Sequence, residues 1–393
     1  MKKYLISLTL VFLTLISSAL SDIKVGIVLG FTGPTQELTP PMAKSIELAF
    51  KEASKSGLLL NGKAISSTKA DTTCTDFSAA TEAAKNILSL NVVALIGGIC
   101  PGISNIIADK VSVPNNIMII SPAATNSNFK DINYNNLFFK TTPSISRSGQ
   151  ILADITKQKK IKNVAITYSN DDNGKKFKEI FKKALEANDI KVTISISHDD
   201  GKKDYSSEVA ALASAGGDAV AIIGYPEQGG KGIIQASLDS GAFDRFILSE
   251  EMINQSLLDT FGEDLDKSFG IVSGYTDKSG LIFEKMLNEI GIDSASPFTG
   301  ESYDSAALIV LAIQAGKSFE RETIARNIMN IANSPGKKIY PGELKKGLDL
   351  LARGKKINYE GVTELEFFKN GEPYGSFFEK KIKNGKFITK KLR

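Results

Sequence analysis

The residues best suited to chemistry fall into three groups, each directly after a predicted β-strand. The first is segment 97–102 (Gly-Gly-Ile-Cys-Pro-Gly), which links a strand to a helix. Its small residues let the backbone approach a ligand, and N–H groups at the start of a helix favour an anion. The second is segment 121–125 (Ser-Pro-Ala-Ala-Thr), which offers hydroxyl, carbonyl and N–H groups in a loop fixed by proline. The third is the pair Tyr225 and Glu250, an aromatic ring and a carboxylate.

These three groups together suit a zwitterionic ligand. In an open α/β sheet, ligands bind beyond the carboxyl ends of the strands. Anion donors on one wall of a cleft, with a carboxylate and an aromatic ring on the other, match a molecule that carries both charges. The simpler alternatives are that the glycines only form tight turns, that Thr125 only caps a helix, and that Glu250 with Glu251 is solvated surface charge.

The composition excludes several other kinds of site. The chain has 393 residues with one histidine and two cysteines, too few for a His-rich metal site or an all-thiolate zinc site. A Ser-His-Asp triad would need His198, which is predicted to lie in a polar turn and has no nucleophile elbow nearby. Gly97-Gly98 is not the GxGxxG pattern of dinucleotide sites. We therefore expect no catalytic residue, no metal and no cofactor, and a protein that is not an enzyme.

The charge balance gives no indication of a nucleic-acid partner. Lys and Arg number 48 and Asp and Glu 44, which gives a net charge of +4. The lysines are scattered, and no strongly basic face stands out along the chain.

The first 21 residues have the features of an export signal. Lys2-Lys3 precedes an apolar stretch at 4–16, and the small residues Ala19 and Ser21 fit cleavage after position 21. The apolar stretch is shorter than the roughly 20 residues of a membrane span. The alternative is a membrane anchor or a buried helix. No cysteine lies at the predicted junction, so we expect an exported protein that is not a lipoprotein.

Export changes the interpretation of the two cysteines, Cys74 and Cys100. In an oxidising compartment, a disulfide between them would contribute roughly 3 kcal/mol in the chain-entropy model. The alternative is a pair of unrelated buried thiols. Because the chain contains no CxxC motif, we do not expect a redox centre.

The elements that must position the three groups alternate between β-branched runs and helical periodicity. Strands are predicted at 23–29, 64–70, 92–96, 117–120, 164–168, 192–196, 219–223, 246–248 and 269–273. Helices are predicted at 42–53, 76–87, 104–110, 146–157, 175–187, 205–214, 232–240, 281–290, 303–316, 323–332 and 344–353. Strand character returns at 363–368, 375–382 and 387–391, with a hairpin turn at Asn370-Gly371. Repeated βα units imply parallel sheets covered by helices, and two successive series imply two lobes.

Six motifs follow one another along the chain: Ile-Lys-Val-Gly at 23–26, Thr-Gly-Pro at 32–34, Ile-Gly-Gly-Ile-Cys at 96–100, Ile-Ser-Pro-Ala-Ala-Thr at 120–125, Phe-Lys-Thr-Thr-Pro at 139–143 and Gly-Tyr-Pro-Glu at 224–227. In their order and spacing they resemble the type I periplasmic solute-binding proteins, in particular the branched-chain amino acid (Leu/Ile/Val) binding group that serves ABC importers. The resemblance implies an α/β fold of two Rossmann-like lobes with parallel central sheets joined by three crossovers. We place the crossovers near 141–144, 275–278 and 357–361. After the signal at 1–21, lobe 1 would comprise 22–143 and 276–357, and lobe 2 would comprise 144–275 and 358–393.

The resemblance also implies roles for individual residues. The carboxylate of a family ligand is held at the loop after Cys100 and at the Ser-Pro-Ala-Ala-Thr loop. The positions that match in this chain are Gly102, Ser121, Ala123 and Thr125. The ammonium group would be held by Glu250 with help from Tyr225. Phe298 and Tyr303 are similar to aromatic positions near the family pocket, and Leu38 lies where the family has a lid residue. The family carries a cysteine pair at matching places, which supports a Cys74–Cys100 disulfide.

Two departures from the family pattern bear on the ligand. Pro101 stands where the family often has Ser, and proline supplies neither a hydroxyl nor an N–H. The lost charge-assisted hydrogen bond is worth about 1.5–3 kcal/mol unless Gly102 or Ser104 compensates. Asn173 stands where the family often has an aromatic residue. We therefore expect a polar or small amino acid, or a related carboxylate or amide, rather than strictly leucine.

The resulting prediction is a monomeric periplasmic substrate-binding protein of an ABC importer. It would bind an amino acid or related small solute between the lobes and deliver it to an inner-membrane permease. One alternative is a ligand-sensing periplasmic receptor, and another is the same transport role with a ligand that is not an amino acid. A third, an exported hydrolase or oxidoreductase, is disfavoured by the missing triad, metal and cofactor signals.

Overall fold

A computed structural model describes residues 23–36, 38–73, 76–125, 136–199, 201–274, 277–293 and 296–392. The predicted export signal and Cys74 lie outside these residues, so cleavage of the signal and the Cys74–Cys100 disulfide stay predictions. Within the described part of the chain, every helix falls short of the length and apolarity that a membrane span needs.

The first sheet consists of five parallel strands in the order β2-β1-β3-β4-β5. The strands are β1 (Ile23–Leu29), β2 (Ile65–Asp71), β3 (Ala94–Gly97), β4 (Ile119–Ser121) and β5 (Phe138–Lys140). The helices that follow the first three strands are α1 (Thr39–Lys55), α2 (Phe77–Leu88) and α3 (Pro101–Ile107). Alternate side chains of β1 enter two different cores, one shared with α1 and the other with α2 and α3. Helices therefore cover both faces of the sheet, as repeated βα units require.

The second sheet has seven strands in the order β14-β13-β10-β9-β8-β6-β7. Its parallel part is β6 (Asn163–Ser169), β7 (Lys191–His198), β8 (Ala219–Ile223), β9 (Phe246–Leu248) and β10 (Phe269–Ser273). The antiparallel hairpin of β13 (Phe377–Lys383) and β14 (Lys386–Lys391) extends it. The helices of this part are α4 (Ile145–Gln158), α5 (Asp172–Ala187), α6 (Ser206–Ala215), α7 (Lys231–Ser240) and α8 (Gln255–Phe261). Two buried clusters lie on opposite faces, one with α4 and α5 and one with α6, α7 and α8.

A mainly helical stretch after β10 returns to the first sheet. It comprises α9 (Asp277–Asn288), α10 (Thr299–Gly316), α11 (Arg321–Ala332), α12 (Leu344–Ala352) and the paired short strands β11 (Lys337–Ile339) and β12 (Ile357–Tyr359). Helix α10 is buried almost all round and packs along α1 in the first core. The chain thus passes between two cores, as predicted, while the residue boundaries of the two lobes stay predictions.

The strand predicted at 363–368 is wrong. The N–H groups of Val362 and Thr363 each donate to the carboxylate of Asp304 at 2.9 Å, so they are not available to a β-ladder. A buried acceptor from another helix has replaced the neighbouring strand as the partner of this backbone.

The turn at Asn370-Gly371 closes only one isolated antiparallel bridge, between Phe367 and Pro373. The regular C-terminal hairpin turns instead at Asn384-Gly385, where both residues have positive φ angles of 51° and 64°. Asn-Gly is the sequence that tolerates this backbone best. The hairpin signal was therefore present twice, and the second occurrence joins the longer strands.

Candidate functional site

The first predicted group forms a tight turn between β3 and α3. Gly98 has a φ of 25°, and a Cβ there would lie 2.4 Å from Ser104 Oγ, so the turn requires glycine. Ser104 Oγ donates to the carbonyl groups of Gly98 at 2.9 Å and Cys100 at 3.0 Å. Ser104 is fully buried and holds the turn, so it is not the compensating ligand donor that the sequence left open. Gly102, in contrast, is exposed in the first turn of α3.

The second predicted group is tied directly to the first. Ser121 ends β4, and its buried hydroxyl donates to the carbonyl of Gly98 at 2.6 Å while accepting the N–H of Ala124 at 2.9 Å. Ser121 therefore positions both loops. Ala123 is buried, and Thr125 is half-buried at the end of this loop. The structure brings these two groups together at the carboxyl edge of the first sheet.

The third group lies at the carboxyl edge of the second sheet. Tyr225 follows β8, and Glu250 follows the neighbouring parallel strand β9. The Oε1 atom of Glu250 accepts the N–H of Ser273 at 2.9 Å and its hydroxyl at 2.6 Å. Ser273 is the last residue of β10, the next strand of the sheet. Tyr225 and Glu250 are thus brought together, on a different sheet from Ala123 and Thr125.

The carboxylate of Glu250 is poorly compensated. Burial raises the pKa of Glu250 above its ordinary value, and the two hydrogen bonds from Ser273 only partly oppose this. The charge acting on it is that of another carboxylate, Glu251, which raises the pKa further. No ion pair within the described part of the chain includes Glu250. A cation placed here would relieve an existing electrostatic cost.

The remaining positions suggested by the family resemblance lie in different surroundings. Leu38 and Phe298 are half-buried at the starts of α1 and α10, where both pack partly on the first core. Tyr303 is instead a fully buried core residue whose hydroxyl donates to the carboxylate of Glu52. Asn173 is exposed in the first turn of α5.

Sequence reasoning missed two features of the site and misplaced one. Ser273, the donor to Glu250, could have been found because it also ends a predicted strand. The exposed ring of Phe77 lies beside the exposed Gly102, since a Cβ on Gly102 would lie 2.9 Å from that ring. His198 does not lie in a polar turn but ends β7, where it is buried and its Nδ1 bonds Thr167 Oγ1 at 2.8 Å.

Residues 22–337 match the family model described as periplasmic binding protein. Because this match spans well over half of the chain, the chain belongs to the periplasmic binding protein family, whose members bind solutes.

Curated relatives resemble the chain at low identity. Leu/Ile/Val-binding protein homolog 3 of Brucella melitensis is 25% identical over 241 residues, which cover 61% of this chain and 64% of that protein. Leu/Ile/Val-binding protein homolog 1 of Brucella abortus is 26% identical over 317 residues, covering 79% of this chain and 82% of the relative. BasB, a substrate-binding protein of a chemotactic signal transduction system in Halobacterium salinarum, is 20% identical over 382 residues, which cover 94% of this chain and 89% of BasB.

Solved structures share the fold over nearly the whole chain. A putative branched-chain amino acid ABC transporter protein from Rhodospirillum rubrum superposes with a TM-score of 0.71 at 14% identity, covering 94% of this chain and 99% of its own. LivJ from Streptococcus pneumoniae, in complex with isoleucine, gives 0.66 at 18% identity with the same coverage. A solute-binding protein from R. palustris in complex with benzoate gives 0.62 at 18% identity, covering 93% of this chain and 95% of that one. These likenesses confirm the predicted type I periplasmic binding protein fold.

Proposed function

We propose that this chain is the substrate-binding protein of an ABC importer. It binds an amino acid or closely related small solute between its two lobes and delivers it to an inner-membrane permease. The single observation that carries the proposal is the half-buried carboxylate of Glu250 beside Tyr225, which has a raised pKa and forms no ion pair among the described residues, at an edge where parallel strands end.

The carboxylate of Glu250 is suited to an ammonium group. Desolvation of a carboxylate is costly and raises the pKa of Glu250, and no cation among the described residues offsets that cost. A ligand ammonium group restores the charge pair and gains a charge-assisted hydrogen bond. The ring of Tyr225, half-buried on the neighbouring strand end, forms the adjoining wall.

The opposite end of a zwitterion fits the loops of the first sheet. Ser121 fixes the loop that carries Ala123 and Thr125 against Gly98, so the donors of this loop are held in place before a ligand arrives. Such preorganisation reduces the entropy that binding must overcome. Because the two halves of the site lie on different sheets, a ligand that contacts both favours closure of the lobes.

The chemical class of the ligand follows from the residues that differ from the family pattern. The relatives named for Leu, Ile and Val binding support an amino acid. Pro101 supplies no donor at the first loop, and Asn173 leaves an exposed amide where the family often has an aromatic ring. A polar or small amino acid, or a related carboxylate or amide, fits this surface better than a strictly apolar one.

The cellular location and the oligomeric state of the protein are part of the same proposal. The sequence of the first 21 residues supports export to the periplasm without lipidation, and the solute-binding family supports that compartment. A Cys74–Cys100 disulfide is compatible with it, and we propose a monomer.

A ligand-sensing receptor is the second candidate. It is favoured by the similarity to BasB, which extends over 94% of the chain. In that role the same closed form would bind a signalling protein rather than a permease. The two candidates differ in the partner captured by the ligand-bound form, not in the ligand site.

The proposal is tested by thermal-shift screening against amino acids, organic acids and amides, followed by calorimetry. A ligand at about 100 times its Kd stabilises the protein by about 2.7 kcal/mol. Glu250→Gln should weaken an amino-acid ligand by about 2–5 kcal/mol, roughly 30-fold or more in Kd. Glu251→Gln is the matched control, because the exposed neighbour loses the same charge and should retain affinity within a few-fold.

Two results would contradict the proposal in different ways. If both variants bind the amino acid like the original protein, Glu250 does not hold the ammonium group. If only compounds without an ammonium group stabilise the protein, solute binding stands but the amino-acid assignment is wrong.

A further inference from the structure

A cavity of about 490 Å³ lies between elements of the two cores, and its lining does not include Glu250. One wall is the start of α4, with Ser144, Ser146 and Arg147, and the other is the turn at 368–373. Helix α4 packs into a core of the second sheet. The turn is fixed to the first sheet, since Lys140 N–H donates to the carbonyl of Gly371 at 3.3 Å. The cavity therefore bridges the two halves of the molecule.

Cationic groups face this cavity from both walls. On the α4 side, Arg147 Nη1 donates to Gln150 Oε1 at 3.2 Å, while its Nε is buried and has no hydrogen-bond partner among the described residues. On the turn side, Lys369 is exposed and takes part in none of the ion pairs found in the described ranges. Buried N–H groups are nearly always paired in folded proteins, so the orphaned guanidinium N–H indicates a missing acceptor.

The carboxylate on the cavity wall does not supply that acceptor. Glu372 is buried, and its Oε1 is bound by Lys140 Nζ at 3.0 Å in an ion pair that is shielded from solvent. Burial lowers the pKa of Lys140, and the positive charge of Lys176 acts in the same direction while Glu372 opposes both. Lys176, on α5, thus adds a further positive charge near this pair. The region keeps a positive excess after Glu372 has been neutralised.

We propose that this cavity binds a multivalent oxyanion, such as phosphate or a polycarboxylate, which bridges Arg147 and Lys369. The planar guanidinium group presents its N–H donors as a fork that matches two oxygens of one anion. The hydroxyl groups of Ser144 and Ser146 lie on the same wall and add neutral donors. This proposal is independent of the ligand assigned to the Glu250 site.

Calorimetry with inorganic phosphate and with citrate, at constant ionic strength set with sodium chloride, tests the proposal. We expect saturable binding of one anion per chain. Arg147→Gln and Lys369→Gln should each raise the Kd at least ten-fold, because each removes one side of the bridge. Lys157→Gln is the matched control: it removes an exposed lysine from the same helix α4 and should leave the Kd unchanged.

The variants distinguish a specific anion bridge from a general ion effect. Lys369 is exposed, so its replacement tests the site even if Arg147→Gln lowers stability. Loss of binding in only one of the two variants would refute the bridge. Equal heats in all variants, or the same response to chloride, would show a general ion effect and overturn the proposal.

Discussion

Replacing Asp304 by Asn tests how the fold holds a buried charge beside the predicted third crossover. The carboxylate of Asp304 is fully buried in α10 and has no cation among its contacts in the described structure. Its oxygens accept the hydroxyl of Tyr359 at 2.7 Å, the N–H of Val362 at 2.9 Å, and the N–H and hydroxyl of Thr363 at 2.9 and 2.8 Å. Burial therefore raises the pKa of Asp304, whereas these hydrogen bonds lower it.

Burial is the stronger effect, and it raises the pKa of Asp304 from its ordinary 3.8 to about 6. Between these two values the folded chain holds a proton that the unfolded chain has released. The contribution of Asp304 to stability is thus present at low pH and is lost as the pH rises toward 6. At about 1.36 kcal/mol per pKa unit, the full loss is about 3 kcal/mol. About 2 kcal/mol of it falls between pH 4.5 and 7.

The assay is urea unfolding of the original protein and of Asp304→Asn between pH 4.5 and 7. Asn does not titrate, so the difference between their unfolding free energies isolates Asp304 from the other carboxylates. We expect the original protein to lose about 2 kcal/mol relative to the variant over this range. Tyr359→Phe removes one hydrogen-bond donor to the carboxylate, so this variant should lose more stability than the original protein over the same pH range. If the unfolding free energy of the original protein minus that of the variant stays constant or rises with pH, hydrogen bonding outweighs burial and the reasoning is refuted.

Three further outcomes follow from the structure. Gly98→Ala should destabilise the protein by about 2–5 kcal/mol in urea unfolding, because its Cβ would lie 2.4 Å from the side chain and 2.7 Å from the backbone of Ser104. Gly57→Ala, at a φ of 67° and with open space around the added Cβ, should cost only about 1 kcal/mol, and an equal cost would disprove the steric argument. Lys140→Met should cost about 3–5 kcal/mol in the same assay, because it leaves a buried carboxylate without its cation. If Glu250 holds an ammonium group, calorimetry should show affinity falling as the pH is lowered toward its raised pKa, and a flat profile would argue against that role.

The strand ends that carry the site could be predicted from the sequence. The strands at 219–223 and 246–248 have the bounds that their apolar runs predict, so the positions of Tyr225 and Glu250 follow from local pattern alone. The hydrogen bond from Ser273 to Glu250 does not follow from local pattern, because it depends on the register between β9 and β10. Register is fixed by packing across the sheet rather than by either strand alone.

The errors share a physical cause, which is competition from residues distant in sequence. The run at 363–368 has strand-like side chains, but its first N–H is taken by Asp304, 59 positions earlier in the chain. Tyr303 was expected near a pocket, yet α10 is buried almost all round, so its periodicity does not indicate which face meets solvent. Its hydroxyl instead bonds Glu52 on α1.

Two carboxylates of the chain, Asp304 and Glu250, differ in the groups that bind them, and the difference bears on function. At the predicted third crossover, Asp304 accepts hydrogen bonds from the backbone and hydroxyls of 359–363, and at the first crossover Thr141 Oγ1 donates to the carbonyl of Glu301 at 2.8 Å. At the strand ends, Glu250 has no cation among the described residues that act on it. Satisfied groups fix a geometry, whereas an unsatisfied charge retains the capacity to bind. A hinge must keep its connections through a movement and a ligand site must gain contacts by it, so the bonds of Asp304 suit a crossover and the open charge of Glu250 suits a closing cleft.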